Sequence, residues 1–363
     1  MVDLRVPANR AHRLTALDGV RALAVVLVLV EHGFIVVRSR YDLFSWWAPG
    51  SAGVRLFFVL SGFLITGILL EARSAAEAAP KGKGRTRIWL MFYARRALRI
   101  VPVAYAALII AWAIGIVAVR AYGPWYFSFL SNMLALFHDD VADSARHYWS
   151  IAVEEQFYLV WPLLILWLPR RLLVPMMAFC ILGAGMTRWM LIAHGNWGAA
   201  HELTPARLDA LAAGGLFACR REQLRGRSML LAGAGALIVA LGVMMTTSAR
   251  GVVIVEWGGI LLALALVQTA AQGDSVVARI LSWPPLVYLG TISYGIYVVH
   301  YFIPESIAIV ERHFHVSLHF PQPGLARCLV MSALSVGAAA ISWRFLESPI
   351  NALKRYVPYV ARS

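Results

Sequence analysis

The chain has 363 residues, is 60% hydrophobic with a mean hydropathy of +0.69, and carries a net charge of +14 on only 14% charged residues. A soluble domain averages about 25% charged residues, so this composition excludes an ordinary soluble fold and places the chain among membrane proteins.

In chain order, ten apolar segments are expected to cross the membrane: about 17–36, 54–70, 100–119, 148–168, 172–192, 207–219, 229–247, 251–270, 285–305 and 325–345. Nearly all approach the roughly 20 residues a spanning helix needs; the sixth is short. The expected fold is all-α, a polytopic membrane helix bundle of about ten transmembrane helices. The aromatic stretch 124–137 is too short to count and reads as re-entrant or interfacial. The first run does not read as a cleaved signal, because it is too long and ends in Glu31 and His32 instead of small residues. No internal repeat is visible. Cys180, Cys219 and Cys328 lie in or beside apolar segments, with no paired spacing, and read as small buried hydrophobes.

Orientation follows from the basic residues. With the N-terminus in the cytoplasm, twenty-one lysines and arginines fall in cytoplasmic segments, eight of them between Arg73 and Arg99. The opposite loops hold five: Arg38, Arg40, Arg146, Arg250 and Arg312. Positive residues gather on the cytoplasmic side, so both termini are expected there. The same bias explains the net charge without nucleic acid. The segment 71–99 is expected to be a cytoplasmic loop leading into the third span.

Ionisable residues inside spans are expensive and therefore functional candidates. They are Arg21, Glu31, His32, Arg55, Glu154, Glu155, Arg188, Asp209, Glu256, His300 and Arg344. Arg188, Glu256 and Arg344 read as structural ion pairs or snorkelling ends. Arg21 and His32, eleven residues apart, share a helix face to within about 20° and are separated by about 16 Å along the axis. Asp18 joins that stripe, while Glu31 points away. By position within their spans, His32, His300, Ser61 and Glu154 fall at similar depth. A histidine with a carboxylate partner suits acid–base chemistry; a hydrogen-bonded cluster that only joins helices is the plainer alternative. On the inner side, Arg96 and Arg99 share a face at i, i+3, and arginine forks suit phosphate. Ordinary positive-inside residues would look the same.

The motifs together resemble acyltransferase family 3, the integral-membrane acyltransferases that include bacterial O-antigen O-acetylases. "LDGVRALAVVLVLVEHG" carries Arg21 and His32 in the family's R-x10-H pattern. "GVRLFFVLSGFLIT" ends in Ser61-Gly62, and "RRALRIVP" supplies R-x-x-R through Arg96 and Arg99. "HYWSIAVEEQFYLVWP" is the most specific signature, with Trp149, Ser150, Glu154, Phe157 and Tyr158. "ARLDALAAG" brings Arg207 and Asp209; "SYGIYVVH" brings Ser293, Tyr294, Tyr297 and His300; "FLESP" closes the pattern with Glu347 and Pro349.

The resemblance covers about residues 15–350 and leaves a short basic cytoplasmic tail, 351–363. It implies one membrane domain in the stand-alone form, without the extra soluble domain some members carry. It implies a bacterial cytoplasmic-membrane enzyme that takes an acyl group, usually acetyl, from cytoplasmic acyl-coenzyme A to a hydroxyl of an extracytoplasmic carbohydrate or envelope acceptor, with acyl-coenzyme A as co-substrate and no metal. His32 is implied as the main catalytic residue, and Arg21, Arg96 and Arg99 as essential or donor-binding; Arg95 is grouped with them.

On this reading His32 is general base or transient acyl carrier. Glu154 is the preferred orienting carboxylate, with Glu31 and Glu155 as rivals. Ser61, Tyr294 or His300 would donate to the developing oxyanion, with Arg207 and Asp209 as further support. The competing classes are a proton-coupled transporter of an envelope precursor and a scaffold for polysaccharide assembly. Acceptor contacts are expected from loops 37–53, 121–147, 193–206 and 306–324. His138, Asp139, Asp140 and Asp143 read as a solvated acidic loop and not as a metal site. No motif speaks to oligomeric state.

Overall fold

The structure is a computed structural model that describes residues 8–34, 49–78, 84–137, 143–245, 248–273 and 275–359. Arg5, Arg38, Arg40, His138, Asp139 and Asp140 lie outside the described residues, as does most of the loop 37–53. The described residues form sixteen α-helices and no strand.

The first five are α1 (Ala8–Phe34), α2 (Pro49–Ala78), α3 (Gly84–Ile114), α4 (Val117–Phe127) and α5 (Tyr148–Trp167). Next come α6 (Arg170–Ala193), α7 (Trp197–Glu202), α8 (Thr204–Cys219), α9 (Ser228–Met244) and α10 (Ala249–Gln272). The last six are α11 (Val276–Leu281), α12 (Pro284–Thr291), α13 (Ser293–Val299), α14 (Ile303–Phe314), α15 (Leu325–Ser342) and α16 (Ser348–Ala352).

Among the described residues, each of the ten segments expected to span is mostly helical. By length and composition, five described helices can cross a membrane: α2, α3, α6, α10 and the continuous stretch from Leu325 to Tyr356. A sixth arises if α12 and the stretch Ser293–Phe314, bent by 53° at their junction, count as one span. Of the rest, α8 and α9 are short, and α1 and α5 carry charged residues at their centres or ends.

Three expected boundaries are corrected. Helix α3 begins at Gly84, and α2 continues to Ala78, so most of the expected loop 71–99 is helical. Hydropathy drops there because of arginine, but arginine, alanine and leucine are strong helix formers and no breaker intervenes before Pro102. Second, the expected span 100–119 is broken at Gly115, whose φ of +100° suits only glycine. Third, 285–305 is divided into α12, α13 and a 3-10 turn at His300–Phe302.

Helix α2 is the centre of the bundle, touching α1, α3, α5, α8 and α10. Its approach to α8 is made by glycines on both sides: a Cβ on Gly62 would strike the Leu211 carbonyl, and one on Gly214 the Val59 carbonyl. Small residues let membrane helices meet this closely. Arg73 of α2 donates to the carbonyls of Ile165 (2.6 Å) and Leu168 (2.8 Å) at the end of α5. Those bonds satisfy carbonyls that lack helical partners and fix α5 along α2. Large apolar side chains face outward on α3, α6, α9 and α15, among them Ile110, Phe179, Leu230 and Leu329, the surface a bilayer would cover.

Candidate active site

Among the described residues, two cavities lie beside α1. The first, about 270 Å³, lies between α2, α3, α5 and α13 and is lined by Ser61, Arg96, Arg99, Glu154, Glu155 and Tyr294, among others. The second, about 300 Å³, is bounded by Asp18, Arg21, Arg99, Glu347, Asn351 and Lys354. Arg21, Arg99 and Tyr294 line both.

Inside the first cavity, Tyr158 donates to Ser61 Oγ (3.2 Å), and Ser61 Oγ donates to Glu154 Oε1 (2.6 Å). Glu155 has no hydrogen bond among the described residues, and its Oε1 is buried. Arg96 stands over the rings of Tyr158 and Phe92, at 5.1 and 5.5 Å. No hydrogen bond or ion pair holds Arg96 or Arg99 among the described residues, so two guanidinium groups face the cavity with their donors uncommitted. Arg21 is engaged by Asp18, one turn earlier on α1. Tyr294 OH donates to the Ile100 carbonyl at 3.2 Å.

His32 is placed differently from expectation. Its partner is not a carboxylate: His32 Nδ1 lies 2.8 Å from His300 Nε2, with the rings stacked at 5.0 Å. Glu154 is taken by Ser61, and Glu31 accepts from the Gly50 amide at 2.5 Å. Tyr301 packs on His32 at 4.5 Å. His32 is only half-buried, and its Nε2 has no hydrogen bond among the described residues. Neither cavity reaches it. Tyr297, which lines the first cavity, packs against His300 at 5.4 Å and against Phe57 at 6.0 Å. Ser150 Oγ and Tyr297 OH are 2.6 Å apart.

Other candidates lie away from the cavities. Arg207 pairs with Glu256, donates to the His201 carbonyl at 2.6 Å and stands over Trp149. Glu256 also binds Arg55 at 2.5 Å. Asp209 holds Arg188 through both oxygens, at 2.8 and 3.1 Å. These five residues form a buried charge network between α2, α6, α8 and α10, which agrees with the reading of Arg188 and Glu256 as structural pairs. Arg95 points away as well: it donates to the carbonyls of Lys354 (2.9 Å) and Val357 (3.1 Å) and stacks on Tyr359. Among the described residues no three His, Cys, Asp or Glu side chains converge as a metal site.

Sequence reasoning missed two participants, and a third stood in a motif with no role assigned. His147, at the head of the "HYWS" motif, packs 5.0 Å from His300. Lys354 and Glu347 line the inner cavity. His147 had a signal, as the histidine opening the strongest motif, and Glu347 is the glutamate of "FLESP"; Lys354 had none.

A helical bundle with a polar cavity at its centre and a histidine pair beside it fits the class of integral-membrane acyltransferases. The model of the acyltransferase domain family matches residues 14–344, so the chain belongs to acyltransferase family 3. The peptidoglycan O-acetyltransferase OatA of Listeria monocytogenes is 28% identical over 368 residues, covering 93% of this chain and 55% of that protein. The O-acetyltransferase OatA of Staphylococcus aureus is 25% identical over 373 residues, covering 93% and 57%. The putative peptidoglycan O-acetyltransferase YrhL of Bacillus subtilis is 28% identical over 377 residues, covering 94% and 55%. The chain thus spans little more than half the length of these relatives. No solved structure matches it.

Proposed function

We propose that this chain is a multi-pass bacterial cytoplasmic-membrane O-acyltransferase that moves an acetyl group from cytoplasmic acyl-coenzyme A to a hydroxyl of an extracytoplasmic envelope carbohydrate. Peptidoglycan, the acceptor named for the relatives, is the first to test. The reading places both termini in the cytoplasm and about ten helices across the bilayer.

One observation carries it: Arg96 and Arg99 present uncommitted guanidinium groups to a cavity that also holds Glu154, Ser61 and Tyr294. Both are partly buried; unpaired cations withdrawn from water are costly, and a polyanionic ligand offsets that cost. Phosphates of the donor bind Arg99 and Lys354 in the second cavity and Arg96 in the adjoining first one, through charge-assisted hydrogen bonds. The pantetheine arm follows the apolar wall of Val54, Phe57 and Leu64. Arg21, neutralised by Asp18, orients the junction.

His32 Nε2 takes the proton of the acceptor hydroxyl, whose oxygen attacks the thioester carbonyl. The tetrahedral oxyanion collapses, the C–S bond breaks, and the coenzyme A thiolate leaves with the proton from His32. Phe57 and Tyr297 line the cavity, Tyr297 packs against His300, and His32 is not among the lining residues, so in this scheme the two rings part for the thioester to meet the acceptor.

The test is acetyl transfer by the purified chain in liposomes, with acetyl-coenzyme A and soluble peptidoglycan glycan strands. His32→Ala is expected to insert and fold normally and to lose transfer. Wild-type transfer by that variant would overturn the assignment.

A further inference from the structure

His300 is fully buried in the 3-10 turn between α13 and α14. Its Nδ1 lies 2.6 Å from the Tyr297 carbonyl. A carbonyl can only accept, so His300 Nδ1 carries the hydrogen. Neutral imidazole has a single N–H, so Nε2 of His300 presents a lone pair. That lone pair lies 2.8 Å from His32 Nδ1, which must therefore carry the hydrogen of His32. The remaining nitrogen, His32 Nε2, is left with its lone pair, and it is the one without a hydrogen bond among the described residues.

The ring of His300 is held from every side. His147 packs edge-on at 5.0 Å and is itself fixed by its Nε2, 3.0 Å from the Val298 carbonyl. Tyr301 and Tyr297 pack at 5.8 and 5.4 Å. None of these neighbours is a carboxylate, so the surroundings favour neutral His300. The arrangement has the order of a nucleophile–base–orienter chain, with an imidazole and a backbone carbonyl where a carboxylate usually stands.

We propose that His300 is the positioning residue for His32. It selects the Nδ1–H tautomer, which leaves Nε2 as the base, and accepts from Nδ1–H while His32 holds the acceptor's proton as imidazolium. This inference rests on the reading of His32 as the base.

The test uses the full chain in nanodiscs with 15N-labelled histidine, assigned with His32→Ala and His300→Leu. In the wild type, ring-nitrogen shifts are expected to show His32 protonated at Nδ1 and bare at Nε2. A hydrogen on His32 Nε2 in the neutral protein would overturn the proposal, even if His300→Leu failed to fold. Acetyl transfer from acetyl-coenzyme A is the second readout. His300→Leu is expected to lower kcat by about 10² to 10⁴ with little change in KM for the donor, by analogy with a base in the wrong tautomer. His300→Gln, which returns an acceptor oxygen near the Nε2 position, is expected to recover to within about tenfold of wild type. A folded His300→Leu with wild-type kcat, or a folded His300→Gln no better than His300→Leu, would overturn the positioning role while leaving His32 as base. Full activity of His32→Ala would instead remove the reading beneath it.

Discussion

Ser61 on α2 donates its hydroxyl hydrogen to Glu154 on α5 at 2.6 Å, with Tyr158 donating to the same serine at 3.2 Å. The carboxylate expected to orient His32 is therefore committed to a different helix pair. Ser61→Ala removes one charge-assisted bond, worth about 1.5–3 kcal/mol, and is expected to lower acetyl transfer by about tenfold or more. Glu154→Gln is expected to be at least as damaging. Because neither residue touches His32, the histidine's tautomer should be unchanged in both, as 15N shifts of the labelled ring would report.

Arg96 and Arg99 contribute to donor affinity in this scheme. Arg96→Ala with Arg99→Ala is expected to weaken acetyl-coenzyme A binding by about 10² or more, at about 1.5–3 kcal/mol per lost charged hydrogen bond. Isothermal titration in detergent checks it. Unaltered affinity would mean that the pair only sets topology.

Arg95, one residue away, should behave otherwise. Its guanidinium holds the carbonyls of Lys354 and Val357. Arg95→Ala is expected to speed limited trypsin cleavage at Lys354 and Arg355 and to change donor affinity far less than the Arg96 and Arg99 pair.

The network of Arg55, Arg188, Arg207, Asp209 and Glu256 is expected to act in folding. Asp209→Ala leaves Arg188 buried without its carboxylate and is expected to cost about 3–5 kcal/mol. Replacing both partners, Arg188→Met with Asp209→Leu, should recover much of that loss. Thermal unfolding in micelles separates the two outcomes.

Gly62 and Gly214 set the α2–α8 distance. Gly62→Leu is expected to destabilise by about 2–3 kcal/mol through overpacking against the Leu211 carbonyl. A lowered unfolding temperature with intact membrane insertion would report it.

Much of this was legible in the sequence. Helical spacing placed Arg21 and His32 on one stripe of α1, and similar depth grouped His32, His300, Ser61 and Glu154. Depth ranks residues along the bilayer normal but carries no information on which helices are neighbours. It therefore offered Glu154 as partner to His32, when α1 meets α13 and the turn after it, and α2 meets α5. Arg95 failed for a related reason: periodicity gives its direction relative to Arg96 and Arg99, but not that the C-terminal turn lies on that side. Arg207 and Asp209 matched a motif, yet their partners on α6 and α10 lie on other helices and had no local signal.

Asp18 and Lys354 face each other across the inner cavity, yet they stand near opposite ends of the sequence. A chain made from its N-terminus places α1 early, while Asn351 and Lys354 follow more than 300 residues later. That cavity lacks a wall until Asn351 and Lys354 have been made, so a chain cut short before them has no complete inner chamber. Closing it over so long a sequence separation is entropically demanding, and the Arg95 clasp on the Lys354 and Val357 carbonyls is the latch that makes the closure last.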